Sequence, residues 1–321
     1  MAVEIKSKSY DMTTIQSMSS SVVCEVKKVV IGKDELIEDI FIALLAEGNV
    51  LLEGVPGVAK TTIAKAFASA IGLDFKRIQF VPDIMPSDVI GSSIYDPKEM
   101  SFNVHKGPVF TNILLVDEIN RASPKIQSSL LEAMEEKQVS IEGNTYPLPH
   151  PFMVITTQNP IDIVGTFPLP DAQIDRFMFK LNVDYPNSDE ELRLLRSRNN
   201  RTIPEASKVL SLDDLLWMTG VVKNISVDEK VLEYIRDLIV ASRVHEKLLL
   251  GGSPRASISL LKASKAVAAM KGRNYVIPDD VKYLVPRVLD HRLIVKPEYE
   301  LDNVTPGDVV EDLLASVKVP T

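Results

Sequence analysis

A lysine and a threonine stand side by side at the end of a short segment rich in glycine. Lys60 and Thr61 close the stretch 54–61, which reads Gly-Val-Pro-Gly-Val-Ala-Lys-Thr. An apolar run at 50–52 precedes it, and an alanine-rich helical pattern continues to Ile71. A strand, a glycine loop and a helix in this order offer backbone N–H donors and a helix N-terminus to a phosphate group. The stretch therefore predicts a phosphate-binding loop, in which Lys60 reaches the outer phosphates and Thr61 binds Mg²⁺.

The loop departs from the strict pattern at one position. Ala59 stands where that pattern has glycine, directly before the lysine. Taken alone, the segment also fits a Gly-Pro turn that precedes a helix with an exposed lysine. The residues expected to contact nucleotide in the loop and the first helical turn are Gly54, Val55, Pro56, Gly57, Val58, Ala59, Lys60, Thr61 and Thr62.

Two adjacent acidic residues follow a strongly apolar segment. Asp117 and Glu118 come directly after Ile-Leu-Leu-Val at 113–116, a pattern typical of a buried parallel strand. Because α/β proteins bind ligands at the carboxyl ends of such strands, we expect Asp117 to hold Mg²⁺ and Glu118 to polarise the attacking water. A helix-capping pair at the surface is the alternative, and the four large apolar residues before the pair disfavour it.

Three more polar residues occupy positions suited to nucleotide hydrolysis. Asn159 follows the apolar run 153–157, where its amide would orient the same water, although an Asn-Pro turn explains it equally well. Arg176 precedes a strand pattern and Arg255 opens a helix. An arginine at a helix N-terminus gains nothing from the helix dipole, so Arg255 fits an anion contact better than a surface position. Positive charge near the transferred phosphate is what the chemistry requires.

Composition limits the classes of protein that fit. The chain has 321 residues, 45% of them hydrophobic and 25% charged, which is ordinary for a globular protein of two domains. Its net charge of −8 argues against nucleic-acid binding, and the single cysteine, Cys24, excludes an internal disulfide or a cysteine zinc cage. No apolar run approaches a membrane span and no secretory signal is visible, so a cytoplasmic location is expected.

Periodic patterns divide the chain into an α/β part and a helical part. Pro186 and Asn187 mark the boundary, beyond which no strand pattern is convincing. We predict an α/β core with a parallel sheet over 1–186, disordered in about its first twelve residues, and a smaller all-α domain over 187–321. Helical stripes cover 15–29 and 37–45, and strand patterns cover 50–52, 75–80, 113–117, 153–157 and 177–183.

Local signals add detail to both parts. Two β-hairpins are expected at 92–105 and 138–147. Capping boxes are expected where Ser211 precedes Asp214 and where Ser226 precedes Glu229. Pro254 and Pro278 suit first helical turns, and Pro286 should kink or split the last long helix.

Six short motifs follow one another along the chain. They are Gly-x-Pro-Gly-x-Ala-Lys-Thr at 54–61, Val-Asp-Glu-Ile-Asn-Arg-Ala at 116–122, Leu-Leu-Glu-Ala-Met-Glu-Glu at 130–136, Thr-Gln-Asn-Pro at 157–160, Asp-Arg-Phe at 175–177 and Gly-Gly-Ser-Pro-Arg at 251–255. The same motifs occur in this order in MoxR-type AAA+ ATPases, and the sequence from about Ile31 to about Leu293 resembles that family. Alanine before the lysine is normal in MoxR proteins, so Ala59 supports the resemblance.

The resemblance implies a P-loop αβα core with a helical lid and assigns roles to residues that bind nucleotide. Lys60 and Thr61 resemble the Walker A pair, and Asp117 and Glu118 resemble the Walker B pair. Ile31 and Gly32 occupy the place where this family contacts adenine. ATP and Mg²⁺ are the ligands that these roles imply.

It also implies roles for residues around the phosphates. Asn159 resembles sensor 1, Arg176 the arginine finger and Arg255 sensor 2. Gln79 would restrain the Walker B glutamate, and Arg121 stands where related proteins sometimes have another interface arginine. Whether Arg255 acts within its own chain or on a neighbour stays open.

An arginine finger acts on a neighbour's nucleotide, so the resemblance implies a ring, commonly a hexamer. It further implies chaperone-like remodelling of protein complexes, often with a partner that carries a von Willebrand factor A domain, expected here as a separate protein. The two hairpins would face the pore of the ring, with plain surface loops as the alternative. A magnesium-chelatase-like motor, a nucleotide-gated scaffold with little hydrolysis and a DNA-dependent motor are the rival functions.

Overall fold

The structure, a computed structural model, describes residues 11–98, 100–160, 166–199 and 204–320. Of the roughly twelve N-terminal residues expected to be disordered, 1–10 lie outside these residues, whereas Asp11 caps the first helix and Met12 begins it. The strands are β1 (Val50–Glu53), β2 (Phe75–Gln79), β3 (Gly91–Asp96), β4 (Ser101–Lys106), β5 (Ile113–Asp117), β6 (Gln138–Ile141), β7 (Asn144–Pro147), β8 (Met153–Gln158), β9 (Phe179–Asn182), β10 (Leu248–Leu250) and β11 (Ile294–Val295).

Helices precede, alternate with and follow these strands. A short 3₁₀ helix at Ile119–Arg121 comes directly after the acidic pair. The α-helices are α1 (Met12–Lys27), α2 (Asp34–Leu45), α3 (Lys60–Ile71), α4 (Pro86–Ile90), α5 (Pro124–Glu136), α6 (Asp171–Ile174), α7 (Ser188–Asn199), α8 (Leu212–Lys223), α9 (Glu229–Val244), α10 (Pro254–Met270), α11 (Pro278–Leu289), α12 (Pro297–Glu300) and α13 (Pro306–Ser316).

Five parallel strands form one sheet in the order β2-β5-β8-β1-β9. Side chains of β5 alternate between two apolar clusters on opposite faces, with Leu115 in one cluster and Leu114 and Val116 in the other. A sheet covered on both faces gives strands that are apolar throughout, which explains the sequence pattern. The predicted α/β core with a parallel sheet is confirmed, and the ends of β1, β5 and β8 lie at one edge.

The region after β9 is a helical lid, as predicted. Its core is continuous with α1 and α2, since Leu260 of α10 and Leu284 of α11 belong to the same buried cluster as Ile15 and Ile40. The lid is not purely helical, because β10 and β11 pair antiparallel within it. These strands have three and two residues, too few to show an alternating pattern. The domain boundary at 186 stays a prediction.

One local expectation for the lid is wrong. Asp228, and not Ser226, caps α9 by accepting the N–H of Lys230, while Ser226 forms a β-bridge with Tyr275. A carboxylate one residue before the helix competes successfully for the cap position. Pro286 lies inside α11 and does not split it, and the expected kink stays a prediction. Ser211 does form the predicted capping box.

Both predicted hairpins are present. Strands β3 and β4 pair with Tyr95 opposite Phe102, and β6 pairs with β7. The two hairpins differ in burial, because Phe102 is 69% exposed whereas Val139 of β6 is 4% exposed. Across the described ranges, no helix is long and apolar enough to cross a membrane.

Candidate nucleotide-binding site

The predicted phosphate-binding loop connects β1 to α3 and depends on unusual backbone geometry. A Cβ at Gly54 would stand 2.4 Å from the backbone oxygen of Val183, so only glycine fits there. Gly57 has φ +88° and open space where a side chain would lie. Ala59 has φ 65° and ψ 19°, the left-handed conformation that glycine adopts without strain. The strict pattern has glycine at this position because glycine adopts the left-handed conformation freely, and Ala59 adopts the same conformation here.

Lys60 lies across the base of the loop. Its Nζ donates to the backbone oxygen of Gly54 at 2.5 Å and to that of Gln158 at 3.2 Å. Burial lowers the pKa of the Lys60 ammonium below its usual value, while the charges of Asp117 and Glu118 act in the opposite direction. The ammonium therefore stands between the loop, the end of β8 and the acidic pair.

Thr61 and Asp117 form an oxygen-rich corner at the carboxyl edge of the sheet. The Thr61 hydroxyl lies 3.4 Å from Asp117 Oδ2, and Asp117 Oδ1 accepts a hydrogen bond from Thr157 at 3.2 Å. Asp117 is 5% exposed. A hydroxyl and a carboxylate are ligands that Mg²⁺ accepts, so these residues fit the ion that the sequence predicts.

Glu118 is held by neighbours on both sides. Its Oε2 accepts a hydrogen bond from Gln79 Nε2 at 2.9 Å and pairs with Arg121 Nε at 2.8 Å. Its own N–H donates to the Thr157 hydroxyl at 3.0 Å. The backbone at Glu118 is left-handed, with φ 59°, which turns the carboxylate out of the strand direction. The structure thus brings Gln79 to the glutamate, as the sequence suggested.

Two residues of this cluster escaped the sequence analysis. Arg77 Nε donates to Asp117 Oδ2 at 2.6 Å, and its Nη2 donates to Gln79 at 3.1 Å. Arg77 precedes Gln79 by two positions on β2, so both side chains project from the same face. Thr157, on β8, joins Asp117 to the backbone of Glu118. The same-face spacing in β2 was an available signal for Arg77, and Thr157 opens the Thr-Gln-Asn-Pro motif at 157–160 without a role having been assigned to it.

Asn159 and the predicted adenine contacts lie at this edge too. Asn159 directly follows β8 and is 7% exposed. Gly32 lies against the side chain of Glu190, and the neighbouring Lys33 Nζ donates to the backbone oxygen of Asp184 at 2.9 Å. Asp184 directly follows Val183, whose backbone oxygen lies against Gly54. Residues 31–32 therefore lie close to the loop.

Arg176 and Arg255, hereafter the arginine pair, lie away from the phosphate-binding loop and next to each other. Arg176 Nη1 is 3.0 Å from Glu135 Oε2, and Arg255 Nη2 donates to Glu135 Oε1 at 2.6 Å. The hydrogen bond from Arg255 is the main cause that lowers the pKa of the Glu135 carboxyl, and the charge of Arg176 adds to it. One carboxylate therefore holds two guanidinium groups side by side.

The arginine pair lies at the amino edge of the sheet, opposite the loop. Arg176 precedes β9, and two residues later the N–H of Met178 donates to Asn49, directly before β1. The four residues of β1 separate that point from the loop by about 13 Å. A cavity of about 320 Å³ opens beside the pair, and its lining includes four basic groups, Arg176, Arg255, Lys137 and Lys262, and three acidic groups, Glu47, Glu135 and Asp175.

Comparison with known proteins assigns the family. Residues 49–179 match the profile of the ATPase family associated with various cellular activities (AAA), and residues 240–313 match the AAA lid domain. The chain is 44% identical over 305 residues to Chaperone MoxR1 of Mycobacterium tuberculosis, covering 92% of this chain and 81% of that protein. The chain belongs to the MoxR family of AAA+ ATPases. It is also 46% identical over 296 residues to the uncharacterized protein YeaC of Bacillus subtilis, covering 92% of each.

A solved structure supports this MoxR assignment at the level of the whole fold. The crystal structure of a proposed ATPase from Cytophaga hutchinsonii superposes with a TM-score of 0.90 at 39% sequence identity. The match covers 97% of both chains. This MoxR-family protein therefore has an AAA+ core and a helical lid arranged as in a solved relative.

Proposed function

We propose that this MoxR-family protein hydrolyses ATP with Mg²⁺ at sites shared between neighbouring copies of the chain in a ring, by expectation a hexamer. The observation that carries the proposal is the separation of the loop and the arginine pair to opposite edges of one sheet. Within a single chain the two cannot contact the same phosphate. In a head-to-tail assembly, the amino edge of one copy can face the carboxyl edge of the next.

Each residue of the loop edge has a task in hydrolysis. The N–H groups of 54–61 and the Lys60 ammonium bind phosphate oxygens. Glu118 accepts a proton from the attacking water and Asn159 orients that water. Mg²⁺, held through Thr61 and Asp117, supplies charge neutralisation at the phosphates when it is bound.

The arginine pair completes the site from the neighbouring copy. Two guanidinium groups offer planar donors that match phosphate oxygens, and they stabilise charge that develops during transfer. Since Arg255 shares Glu135 with Arg176, we assign both arginines to the same, trans-acting role. Of the two alternatives that the sequence left open for Arg255, the proposal takes action on a neighbour's nucleotide.

Chaperone-like remodelling is the use of ATP that the family favours. Arg255 is carried by helix α10 of the lid and Arg176 by the core segment before β9, so closing of a site between subunits would move lid and core together. Similarity over nearly the full chain to a protein named Chaperone MoxR1 favours this function over the chelatase-like motor. A separate partner with a von Willebrand factor A domain, an unidentified protein client, pore-facing hairpins and a cytoplasmic location remain expectations.

Turnover measured against protein concentration tests the shared site. We expect ATP turnover per chain, with Mg²⁺ present, to rise with concentration and level off, in step with the assembly seen by light scattering. Lys60→Ala, which removes the loop ammonium, controls for contaminating ATPases. Substantial turnover by a particle of single-chain mass would contradict shared sites. Full assembly without turnover would favour the nucleotide-gated scaffold.

A further inference from the structure

A buried arginine outside the nucleotide site contacts the segment that carries Arg176. Arg292 follows α11, and its side chain is 2% exposed. A guanidinium has five N–H donors and keeps its charge inside proteins, so its burial is tolerated only where those donors are paired. All five donors of Arg292 have acceptors. Nε donates to Asp175 Oδ1 (2.8 Å), Nη2 to the backbone oxygens of Asp175 (2.9 Å) and Phe177 (2.6 Å), and Nη1 to those of Met178 (3.3 Å) and Val288 (2.5 Å).

These bonds hold the backbone on both sides of Arg176. Asp175 and Phe177 are its immediate neighbours, and each contributes a backbone oxygen to the same nitrogen of Arg292. His291 adds a contact from its Nε2 to the Phe177 oxygen at 3.3 Å. The direction in which the Arg176 side chain leaves the chain is therefore set from the end of α11.

Asp175 extends the same contact to Arg255. Its carboxylate oxygens accept hydrogen bonds from the Ser253 hydroxyl at 2.9 and 3.0 Å. Ser253 caps α10 and accepts the N–H of Arg255 at 3.1 Å. Asp175 Oδ2 also lies 3.6 Å from Arg255 Nη1. Through one carboxylate, Arg292 is linked to the helix start that carries the second arginine.

We propose that Arg292 is the positioning residue of the arginine pair. It connects the end of the lid helix α11 to both arginines, so a displacement of α11 moves them together and changes what they offer to the neighbouring copy. Arg292 itself stays buried and touches no phosphate. The inference rests on the proposed function, in which the pair acts on the neighbour's ATP.

Arg292→Lys tests the inference in the full-length chain. Lysine keeps the charge, but one ammonium cannot span a carboxylate and several backbone oxygens. Arg287→Lys is the matched control, because Arg287 lies on α11 and its Nε bonds Asp39 at 2.7 Å, away from the 175–178 segment. Misplacement by about 1 Å can cost on the order of 10²-fold in rate, so we expect Arg292→Lys to lower turnover by about 10- to 100-fold. We expect its affinity for MgADP to match the wild type.

Mixing experiments separate positioning from general damage. Lys60→Ala subunits retain the arginine pair. Adding them should therefore restore ATP turnover at the intact loops of Arg292→Lys subunits, as it should at those of Arg176→Ala subunits. Arg287→Lys should keep near wild-type turnover. Wild-type turnover by Arg292→Lys would overturn the inference. So would mixtures in which Lys60→Ala subunits restore turnover to Arg176→Ala but not to Arg292→Lys. If mixing restores turnover to neither variant, the shared-site function is contradicted, and the inference with it.

A folding defect would not block the test. If Arg292→Lys melts far below the wild type, Asp175→Asn takes its place, since it weakens the same link from the other side while leaving both arginines in the chain. The same recovery with Lys60→Ala subunits is expected. A loss of turnover in Asp175→Asn that no mixing repairs would overturn the inference.

Discussion

At the scale of single residues, the backbone at Ala59 explains a departure from a motif. A left-handed conformation costs a non-glycine residue about 1–2 kcal/mol. Ala59 has φ 65°, so this strain is present in the native loop. Glycine removes the strain but makes the unfolded chain more flexible, which costs about 0.5–1 kcal/mol.

We therefore predict that Ala59→Gly keeps nucleotide affinity and leaves the free energy of unfolding unchanged or raised by up to about 1.5 kcal/mol. Ala59→Val should lower both, because a β-branched side chain is poorly tolerated at positive φ. Chemical denaturation and nucleotide titration measure the two effects. A loss of stability in Ala59→Gly larger than that in Ala59→Val would refute the strained-loop account.

Glu118 is the residue whose replacement tests the chemistry itself. Glu118→Gln keeps the size of the side chain but cannot accept a proton, so we predict intact ATP binding and turnover lowered by about 10²-fold or more. Glu132→Gln, at an exposed position on α5, is the matched control and should turn over ATP as the wild type does. Unchanged turnover in Glu118→Gln would mean that another group serves as the base.

Motif spacing predicted the residues of the loop edge because they follow strands within a few positions. Lys60, Thr61 and Asp117 meet as expected. Arg77 and Thr157 reach the same acids from other strands, through contacts about 40 positions apart that no local pattern encodes. Sequence alone also could not show that a single glutamate, Glu135, holds both arginines.

At the scale of elements, the C-terminal end of α5 carries a partly buried lysine. Lys137 caps this helix, donates to the backbone oxygen of Phe152 at 3.2 Å and lies over its ring. Burial lowers the pKa of the Lys137 ammonium from 10.5 to about 8. Between these values the unfolded chain holds the proton and the folded chain does not, so raising the pH favours folding.

We accordingly predict that the stability of the wild type relative to Lys137→Met rises between about pH 8 and pH 10. Methionine has a similar length and no ionisable group, so the difference between the two proteins isolates this lysine. Urea denaturation across that pH range measures it. A difference that stays constant or falls would show that the ammonium keeps its ordinary pKa in the fold.

The two hairpins should respond oppositely to polar substitution. Tyr95 and Phe102 of the β3–β4 hairpin are 48% and 69% exposed, so Tyr95→Ser with Phe102→Ser should leave the melting temperature of the protein nearly unchanged. Val139→Ser in β6 replaces a side chain that is 4% exposed and should cost about 2 kcal/mol. Calorimetry compares them. A large loss from the β3–β4 variant would show that its apolar residues are covered in the assembled protein.

The sequence predicted the helices and strands whose periodic patterns are long, and the prediction failed for the shortest strands. The five sheet strands and α1, α2, α3 and α5 carry clear periodicity, and all are present. The pair β10–β11 is too short for any periodicity to appear. The order of strands in the sheet follows from pairing between distant segments, which no local pattern encodes, and it was not predicted.

At the scale of the whole molecule, the fold divides the groups that we propose to be catalytic between two edges of the sheet. The loop, Asp117 and Glu118 lie where parallel strands end, and the arginine pair lies where β9 begins. The chain thus presents two unlike surfaces, and identical chains joined through unlike surfaces form a closed ring when the rotation permits. Under the proposed function, ATP hydrolysis is a property of such an assembly.

Turnover by mixtures of Arg176→Ala and Lys60→Ala tests that claim most directly. Arg176→Ala keeps an intact loop, and Lys60→Ala keeps an intact arginine pair, so neither should be active alone. After subunit exchange, verified by capture of a tagged variant with its untagged partner, mixtures should turn over ATP well above the sum of the separate rates. Exchanged mixtures that remain at that sum at every ratio would contradict a site shared between chains.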